Sequence, residues 1–306
     1  MSKPLRIIFM GTPEFAVPSL QSLVEHHSNV VAVITVPDKP AGRGQKQTKS
    51  PVKIYAEAQG IPVLQPEKLK NPEFLEELRS LNADLQVVVA FRMLPEVVWS
   101  MPTKGTFNLH SSLLPQYRGA APINWAVING ETETGVTTFF IEKDIDTGKI
   151  IFQEKESIHP DDDAGTLYER LMQLGAQLVV KTVDAITEGN YPQEPQDETE
   201  NIKSAPKIFR ETCEINWNRP TEDIHNFVRG LSPYPAAWAT LNGLSCKVFK
   251  TKPVEFSGEA QPGEFATDHK SYLNFRTSDG WLSIETLQLE GKKRMDIGDF
   301  LRGNRL

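Results

Sequence analysis

Cysteine is scarce in this chain of 306 residues, which contains Cys213 and Cys246 and no third. The two cysteines match neither a metal-binding nor a redox spacing. Long hydrophobic runs are also lacking, since no apolar stretch approaches the roughly 20 residues that span a bilayer. The apolar stretch near the start is too short for a secretory signal and runs straight into a strand-like pattern. We therefore expect a cytoplasmic protein that does not enter the membrane.

A net positive charge, the usual mark of a nucleic-acid-binding protein, is missing as well, because the formal net charge is −7. The charges are unevenly distributed along the chain. Residues 1–206 carry 19 Lys and Arg against 27 Asp and Glu, whereas residues 207–306 carry 14 against 13. Cations also cluster within 39–53 and at 292–294. Because local patches matter more than the net sum for phosphate binding, the charge does not exclude RNA as a partner.

Hydrophobic patterning in the first part of the chain predicts an α/β domain. Apolar runs typical of buried strands alternate with helical patterns, the runs lying at 5–10, 29–36, 85–91 and 105–110. Such alternation indicates βαβ units and a Rossmann-like, mostly parallel sheet that is buried on both faces. Two further strands, at 136–141 and 149–158, precede a long amphipathic helix at 164–187.

The last hundred residues follow a different pattern. One helix at 222–231 is accompanied by several short, closely spaced strands, which are typical of a small OB-like β-barrel. The polar, aperiodic segment that precedes them is interpreted as a linker. The predicted organisation is therefore a catalytic domain at 1–190, a linker at 191–206 and an OB-like domain at 207–306.

Two polar residues at the end of a predicted strand are the first candidates for chemistry. Asn108 and His110 lie two positions apart, so both side chains leave the same face of the strand, at the sheet edge where ligands bind in open α/β sheets. An amide donor can stabilise an oxyanion, and an imidazole can move a proton near neutral pH. The pair suits acyl transfer to an amine, although spacing alone favours a structural pair.

A long loop of small residues follows this strand, and an acidic turn lies further on. The loop runs from Ser112 to Pro122 and could let a ligand approach the backbone closely. The turn between the next two strands contains Asp146, which could orient the imidazole or a water molecule. Glu142 and Asp144 lie near enough in sequence to serve instead, and spacing does not choose among the three carboxylates.

These motifs together resemble the folate-dependent formyltransferases. The resemblance rests on Asn-Leu-His at 108–110, Ser-Leu-Leu-Pro at 112–115, Tyr-Arg-Gly-Ala-Ala-Pro-Ile at 117–123 and Asp-Thr-Gly at 146–148. Three further segments resemble the members that act on methionine carried by initiator tRNA: Met-Gly-Thr-Pro-Glu-Phe at 10–15, Pro-Asp-Lys-Pro-Ala-Gly-Arg-Gly at 37–44 and Gly-Lys-Lys-Arg-Met at 291–295. The match covers essentially the whole chain.

The resemblance implies transfer of a formyl group from 10-formyltetrahydrofolate to that methionine's amino group, with no metal and no covalent intermediate. Asn108 would bind the formyl oxygen, His110 would polarise the same centre or shuttle the proton, and Asp146 would pair with His110. The folate pocket would be lined by Ser112, Leu113, Leu114 and Pro115, and flanked by Phe91, Arg92 and Met93. Arg92 stands where the family usually has glycine, which adds a charge and removes backbone freedom from that loop.

The resemblance also implies that the first basic cluster reaches the acceptor stem of the tRNA, with Arg43 matching the family's key arginine. The other cations expected to bind tRNA phosphates are Lys39, Lys46 and Lys49 in that cluster, and Lys292, Lys293 and Arg294 on the predicted barrel. No obligate protein partner is implied. A solvated surface loop is the alternative interpretation of such a charge run.

Three other functions compete with this one. Glycinamide ribonucleotide formyltransferases resemble the first domain alone and would leave the last hundred residues unexplained. Sugar-nucleotide formyltransferases have a similar second domain but lack the opening motif and the basic loop. A catalytically inactive RNA-binding relative is the third, and the complete set of Asn108, His110 and Asp146 argues against it. A nicotinamide dehydrogenase is disfavoured because Gly11-Thr12-Pro13 stands where several glycines are required.

Overall fold

The computed structural model describes residues 4–41, 46–197 and 201–304, and for residues 40–41 and 46–47 it describes the backbone only. The chain forms two compact units that interleave in sequence. The first comprises 1–118, 135–156 and 168–203, and the second comprises 119–134, 157–167 and 204–306. The domain borders expected from the sequence, 1–190, 191–206 and 207–306, remain a prediction.

Strands and helices alternate through the first two hundred residues. The strands are β1 (Ile7–Gly11), β2 (Val30–Ile34), β3 (Lys39–Ala41), β4 (Lys46–Thr48), β5 (Val63–Leu64), β6 (Leu85–Val89), β7 (Thr106–His110), β8 (Arg118–Gly119), β9 (Glu133–Phe140), β10 (Ile150–Ser157) and β11 (Ser204–Ala205). The helices are α1 (Val17–Glu25), α2 (Pro51–Ala58), α3 (Pro72–Ser80), α4 (Glu96–Trp99), α5 (Pro122–Ile128) and α6 (Ala164–Glu188).

The first unit is built on a mixed, parallel-dominated sheet. Among the described residues this sheet has seven strands in the order β10-β9-β7-β6-β1-β2-β5. β1 pairs in parallel with β2 and β6, β6 pairs in parallel with β7, and β9 runs antiparallel to β7. All residues of β1 and β6 are buried, Gln86 included, as expected for strands that lie between helical layers. The predicted fold class is confirmed.

Strand register brings four loops to one edge of this sheet. Met10 is paired with Ile34, Gly11 with Val89 and Val89 with Leu109. The parallel strands β1, β2, β6 and β7 therefore end side by side. The loops that follow them start at the carboxyl edge, where ligands bind in open α/β sheets.

The described part of the basic segment after β2 contains two short strands. β3 and β4 form an antiparallel hairpin in which Lys39 is paired with Thr48 and Ala41 with Lys46. At its base, Lys53 donates from Nζ to Asp38 Oδ2 at 2.6 Å and to Gln65 Oε1 at 2.7 Å. The hydrogen bond from Lys53 lowers the pKa of the Asp38 carboxyl. Lys53, a member of the basic cluster at 39–53, thus stabilises the base of the hairpin.

The remaining elements lie in the last hundred residues and belong to the second unit. The strands are β12 (Ala237–Leu241), β13 (Leu244–Val254), β14 (Phe265–Thr267), β15 (Leu273–Arg276), β16 (Trp281–Leu289) and β17 (Met295–Asp296), and the helices are α7 (Thr221–Leu231) and α8 (Ile297–Gly303). The strands form a curled antiparallel sheet in the order β12-β13-β16-β15-β14, with β17 on β16. Buried residues of α7, including Val228 and Leu231, share one apolar core with this sheet. The predicted small β-domain is confirmed as a half-barrel.

Both cysteines are buried in the second unit. Burial raises the pKa of the Cys246 thiol to about 11, and it also raises the pKa of Cys213. Because the thiolate is the reactive form, we expect neither cysteine to react with a thiol reagent at pH 8 in the native protein and both to react in denaturant. Titration with a chromogenic disulfide checks this, and rapid labelling of the native protein would contradict the burial.

The raised pKa of Cys246 predicts that the free energy of unfolding depends on pH in the alkaline range. The folded state holds Cys246 in its neutral form, so its contribution to stability is complete below the ordinary thiol pKa of 9.0 and is lost as the pH rises towards about 11.

Within the described ranges, no helix is both long enough and apolar enough to cross a membrane.

Candidate active site

The carboxyl end of β7 carries the two polar residues that the sequence singled out. Asn108 is half-buried and His110 is 6% exposed, and both side chains leave the same face of the strand. The imidazole packs edge-on against Phe139 of β9, with ring centroids 6.4 Å apart. His110 is thus fixed in a largely dry position beside a less buried amide, a setting in which hydrogen bonds and charges act strongly.

The contacts of His110 determine which of its nitrogens can exchange a proton. Nε2 lies 2.9 Å from the carbonyl oxygen of Tyr117. A carbonyl oxygen only accepts hydrogen bonds, so Nε2 carries the proton and donates it to Tyr117. Nδ1 faces Asp146, with 3.9 Å between Nδ1 and Oδ2. That separation suits an ion pair but is longer than a hydrogen bond, so Nδ1 is the nitrogen at which a proton can be gained and lost.

Asp146 is the carboxylate of the acidic turn that lies near His110. Its side chain is 14% exposed, whereas Glu142 and Asp144 are exposed on the same loop. Asp146 has a backbone φ of 55°, in the left-handed region, which Asp adopts more readily than most residues. The structure therefore brings Asp146 to the pair formed by Asn108 and His110, while its catalytic role stays a prediction.

Gly148 allows this turn to close tightly. A Cβ atom built on Gly148 would lie 1.7 Å from the carbonyl oxygen of Phe140, at the end of β9. Such a contact is impossible, so a residue with a side chain would push the turn away from the strand. The glycine of Asp-Thr-Gly is therefore required by backbone packing at the point where the chain places Asp146.

The loop after β7 is held by two polar side chains that sequence analysis did not identify. Thr137 donates from Oγ1 to the carbonyl of Ser112 at 2.6 Å and accepts from the backbone N–H of Leu114 at 3.1 Å. Gln153 donates to the carbonyl of Leu114 at 2.9 Å. Both lie on strands, β9 and β10. No local sequence signal marks these hydrogen bonds, because they join residues that lie 23 to 39 positions apart in the chain.

Within this loop the predicted folate residues differ in their exposure. The Ser112 hydroxyl is buried and donates to the carbonyl of Gln116 at 2.6 Å, and Leu114 is 3% exposed. Leu113 and Pro115 are half-buried. Ser112 and Leu114 therefore support the loop, whereas Leu113 and Pro115 offer partly open surface.

Arg92 is directed towards a neighbouring loop. Its guanidinium donates to the carbonyl oxygens of Pro66 and Glu67, the latter at 2.9 Å, and lies 5.6 Å from the ring centroid of Phe91. Burial lowers the pKa of Arg92. Met93 is 73% exposed. The positive charge of Arg92 is thus used to join two loops at the carboxyl edge of the sheet.

The cations predicted to bind tRNA differ in their exposure and in their contacts. Lys39 is exposed, and Lys49 pairs with Glu57 at 2.6 Å, which raises the pKa of Lys49. Arg43 and the side chain of Lys46 lie outside the described residues. In the second unit three consecutive cations are exposed, namely Lys292, Lys293 and Arg294. The guanidinium of Arg294 lies 4.2 Å over the ring of Phe249, which limits its freedom.

Within residues 4–41, 46–197 and 201–304, no group of three or more His, Cys, Asp or Glu side chains is arranged to hold a metal ion. The carboxyl edge of the first unit presents the amide of Asn108, the imidazole of His110 and the carboxylate of Asp146. Such a set can stabilise an oxyanion and transfer a proton while an amine attacks a carbonyl carbon.

Comparison with known proteins gives two family matches that follow one another along the chain. Residues 5–183 match the model of the formyl transferase family, and residues 207–305 match that of the formyl transferase C-terminal domain. A protein from Parabacteroides distasonis described as methionyl-tRNA formyltransferase is 57% identical over 98% of this chain and 95% of its own length.

Two solved structures have a similar fold. The N-formyltransferase from Helicobacter canadensis, in complex with folinic acid and dTDP-3-aminofucose, has a TM-score of 0.68 at 25% identity and covers 92% of this chain and 98% of its own. HypX from Aquifex aeolicus, in complex with tetrahydrofolic acid, has a TM-score of 0.66 at 18% identity and covers 98% of this chain and 48% of its own.

Proposed function

This chain belongs to the formyl transferase family, and on that basis we propose that it transfers the formyl group of 10-formyltetrahydrofolate to the amino group of methionine carried on initiator tRNA. The observation that carries the proposal is the 57% identity, over nearly the full length of both chains, to a relative described as methionyl-tRNA formyltransferase. Aminoacyl-tRNA as the acceptor implies that the reaction takes place in the cytoplasm.

The proposed reaction forms one C–N bond and breaks another. The uncharged methionine amine attacks the formyl carbon, and the carbonyl oxygen becomes an oxyanion in a tetrahedral intermediate. The amide N–H of Asn108 donates to that oxyanion. The intermediate then collapses, the bond to N10 of the folate breaks, and N10 receives a proton while the new amide loses one. Tetrahydrofolate and formylmethionyl-tRNA are the products.

His110 is the group that we propose to move the proton. Its Nε2–H is engaged with the carbonyl of Tyr117, so the proton taken from the attacking amine binds at Nδ1. The resulting imidazolium faces the Asp146 carboxylate, whose Oδ2 lies 3.9 Å from Nδ1. Two opposite charges at that distance in a largely dry site attract each other strongly, which stabilises the charged intermediate state.

We propose that the folate binds against the loops that follow β6 and β7. Leu113 and Pro115 offer partly open apolar surface, and Phe91 and Met93 lie on the other loop at the same sheet edge. Ser112, Leu114 and Arg92 would act by holding these loops in place, as their hydrogen bonds to Gln116, Gln153 and the 66–67 backbone support. Apolar and aromatic side chains of this kind can pack against a flat pteridine ring.

The tRNA would be bound through its phosphates by cations of each unit. In the first unit these are the residues of the hairpin segment, namely Lys39, Arg43, Lys46 and Lys49. The second unit would contribute Lys292, Lys293 and Arg294. Because Glu57 partly offsets the charge of Lys49, we expect Lys49 to contribute less than Lys39.

Replacing Lys292, Lys293 and Arg294 together by alanine should raise the KM for tRNA about tenfold and leave kcat within about twofold. The slope of log KM against log salt concentration should fall by about 2, because fewer counterions are released on binding. Steady-state kinetics over a range of KCl concentrations measures both quantities. The matched control replaces three other exposed cations of the same unit, namely Lys247, Lys252 and Lys270. Equal salt slopes for the two triple variants would contradict the proposed contact.

The function itself is tested by incubating the protein with 10-formyltetrahydrofolate and methionyl initiator tRNA, and then releasing the amino acid for mass spectrometry. We expect formylmethionine, formed faster than with methionyl elongator tRNA. Absence of product while tRNA still binds would favour an inactive RNA-binding protein. The similarity in fold to the Helicobacter canadensis enzyme makes a dTDP-linked amino sugar the second acceptor to assay.

A further inference from the structure

Gln196 lies outside both segments that match the family models, which end at residue 183 and resume at residue 207. Its side chain is half-buried in the first unit. Nε2 donates to the carbonyl oxygen of Asp146 at 2.9 Å and to the carbonyl oxygen of Gly148 at 2.8 Å. Both N–H groups of the amide are thereby directed at the turn that contains the carboxylate near His110.

The other end of the same amide is engaged as well. Oε1 of Gln196 accepts hydrogen bonds from Arg118, at 3.1 Å from Nε and 2.7 Å from Nη2. A primary amide offers two donors and an oxygen with two lone pairs, so this side chain uses its full hydrogen-bonding capacity. Hydrogen bonds that involve a charged guanidinium are stronger than neutral ones, so Arg118 fixes the orientation of the amide.

These contacts link the two segments that lie on either side of the His110 imidazole. Arg118 directly follows Tyr117, whose carbonyl accepts the Nε2–H of His110. Arg118 donates to Gln196, and Gln196 donates to the backbone carbonyl of Asp146. The Asp146 carboxylate in turn faces Nδ1 of His110 at 3.9 Å. One amide therefore joins the segment that holds one nitrogen of the imidazole to the turn that faces the other.

We infer that Gln196 is a positioning residue that sets the distance between Asp146 and His110. Asp146 lies on an otherwise charged and exposed turn and has a left-handed backbone conformation, so its position depends on what the turn is bonded to. Misplacing a catalytic group by about 1 Å can cost about 100-fold in rate. The inference rests on the proposed function, because it concerns the proton transfer of the same site.

Gln196→Leu tests the inference by removing all four hydrogen bonds with little change in side-chain size. We expect kcat for formyl transfer to fall by about 10- to 100-fold, with the KM values for folate and for tRNA within about twofold of wild type. The second variant, Gln196→Glu, keeps the acceptor for Arg118 and loses both donors to the turn. It should lose as much activity as Gln196→Leu, because the bonds to the turn are the ones that position Asp146.

The matched control is Gln116→Ala. Gln116 also contacts the polar segment, since its Oε1 accepts from the backbone N–H of Lys203 at 2.9 Å, but among the described residues its side chain makes no hydrogen bond with the acidic turn. We expect turnover of this variant within about twofold of wild type. Full activity of Gln196→Glu, or a loss in Gln116→Ala as large as in Gln196→Leu, would overturn the inference.

A double-mutant cycle with Asp146→Asn separates positioning from general stability. If Gln196 acts through Asp146, then Gln196→Leu should change kcat by less than about twofold in the Asp146→Asn background. A full additional loss in that background would show that Gln196 acts by another route and would overturn the inference. Failure of the proposed function is distinguishable, because the wild-type protein itself would then form no formylmethionine.

Discussion

Replacing His110 by alanine is expected to lower kcat for formyl transfer by about 1,000-fold, which corresponds to about 4 kcal/mol of transition-state stabilisation. The variant loses the group that receives the amine proton at Nδ1, and the Asp146 carboxylate loses the cation that it stabilises. Because the imidazole is buried and contacts Phe139 and the Tyr117 carbonyl, the substitution also leaves a small cavity. The binding of tRNA should change little, since the proposed phosphate contacts lie elsewhere.

Single-turnover measurement with saturating folate and tRNA gives the chemical step directly. His26→Ala is the matched control, because His26 also pairs with an aspartate, Asp184 at 3.1 Å, but lies half-exposed on the surface of the same unit. Its turnover should stay within about twofold of wild type. A His110→Ala variant that retained more than about a tenth of wild-type turnover would remove His110 from the mechanism.

Asn108→Asp is expected to have a similarly large effect, lowering kcat by about 1,000-fold or more. The substitution preserves the shape of the side chain. It removes both N–H donors and places a negative charge beside the position where the oxyanion develops, so repulsion replaces stabilisation. Asn108→Ala should lose less, about 100- to 1,000-fold, because it removes the donor without adding charge.

The order of these two variants is the informative result. Stabilisation of an oxyanion requires the aspartate variant to be slower than the alanine variant at neutral pH. Equal rates, or a faster aspartate variant, would mean that Asn108 serves packing and does not face the developing charge. Circular dichroism and thermal unfolding of both variants control for loss of folding.

The sheet and its carboxyl edge could be predicted from the sequence because their signals are local. The largely apolar run that became β6 and the Asn-x-His spacing on β7 are properties of neighbouring residues, and period-two geometry fixes which side chains share a face. The curled sheet of the second unit followed in the same way from short strands at close spacing.

Other features depend on residues that are distant in sequence and gave no local signal. The short hairpin of β3 and β4 contains Pro40 and three-residue strands, too short for a periodic pattern. The position of Asp146 near His110 depends on the fold of a turn that Gly148 allows to close against β9, whereas Glu142 and Asp144 are exposed on the same turn. Gln196 lies in a stretch that reads as an ordinary polar linker, and its contacts appear only when the chain is folded.

Arg92 shows how a departure from a family pattern can be compensated. On sequence grounds, a charged residue in place of glycine is expected to disturb the loop that flanks the folate. In the structure, the Arg92 guanidinium donates to the carbonyl oxygens of Pro66 and Glu67. These two residues lie on a different loop from the half-buried Leu113 and Pro115. The positive charge of Arg92 is therefore engaged by hydrogen bonds within the protein.

The most direct test of the proposed function offers both acceptors in one reaction. The protein is given a limiting amount of 10-formyltetrahydrofolate labelled in the formyl group, together with methionyl initiator tRNA and a dTDP-linked 3-amino sugar at equal concentrations. We expect the label to appear on the methionine of the tRNA, with none above background on the sugar. Label on the sugar nucleotide in preference to the tRNA would contradict the proposed function.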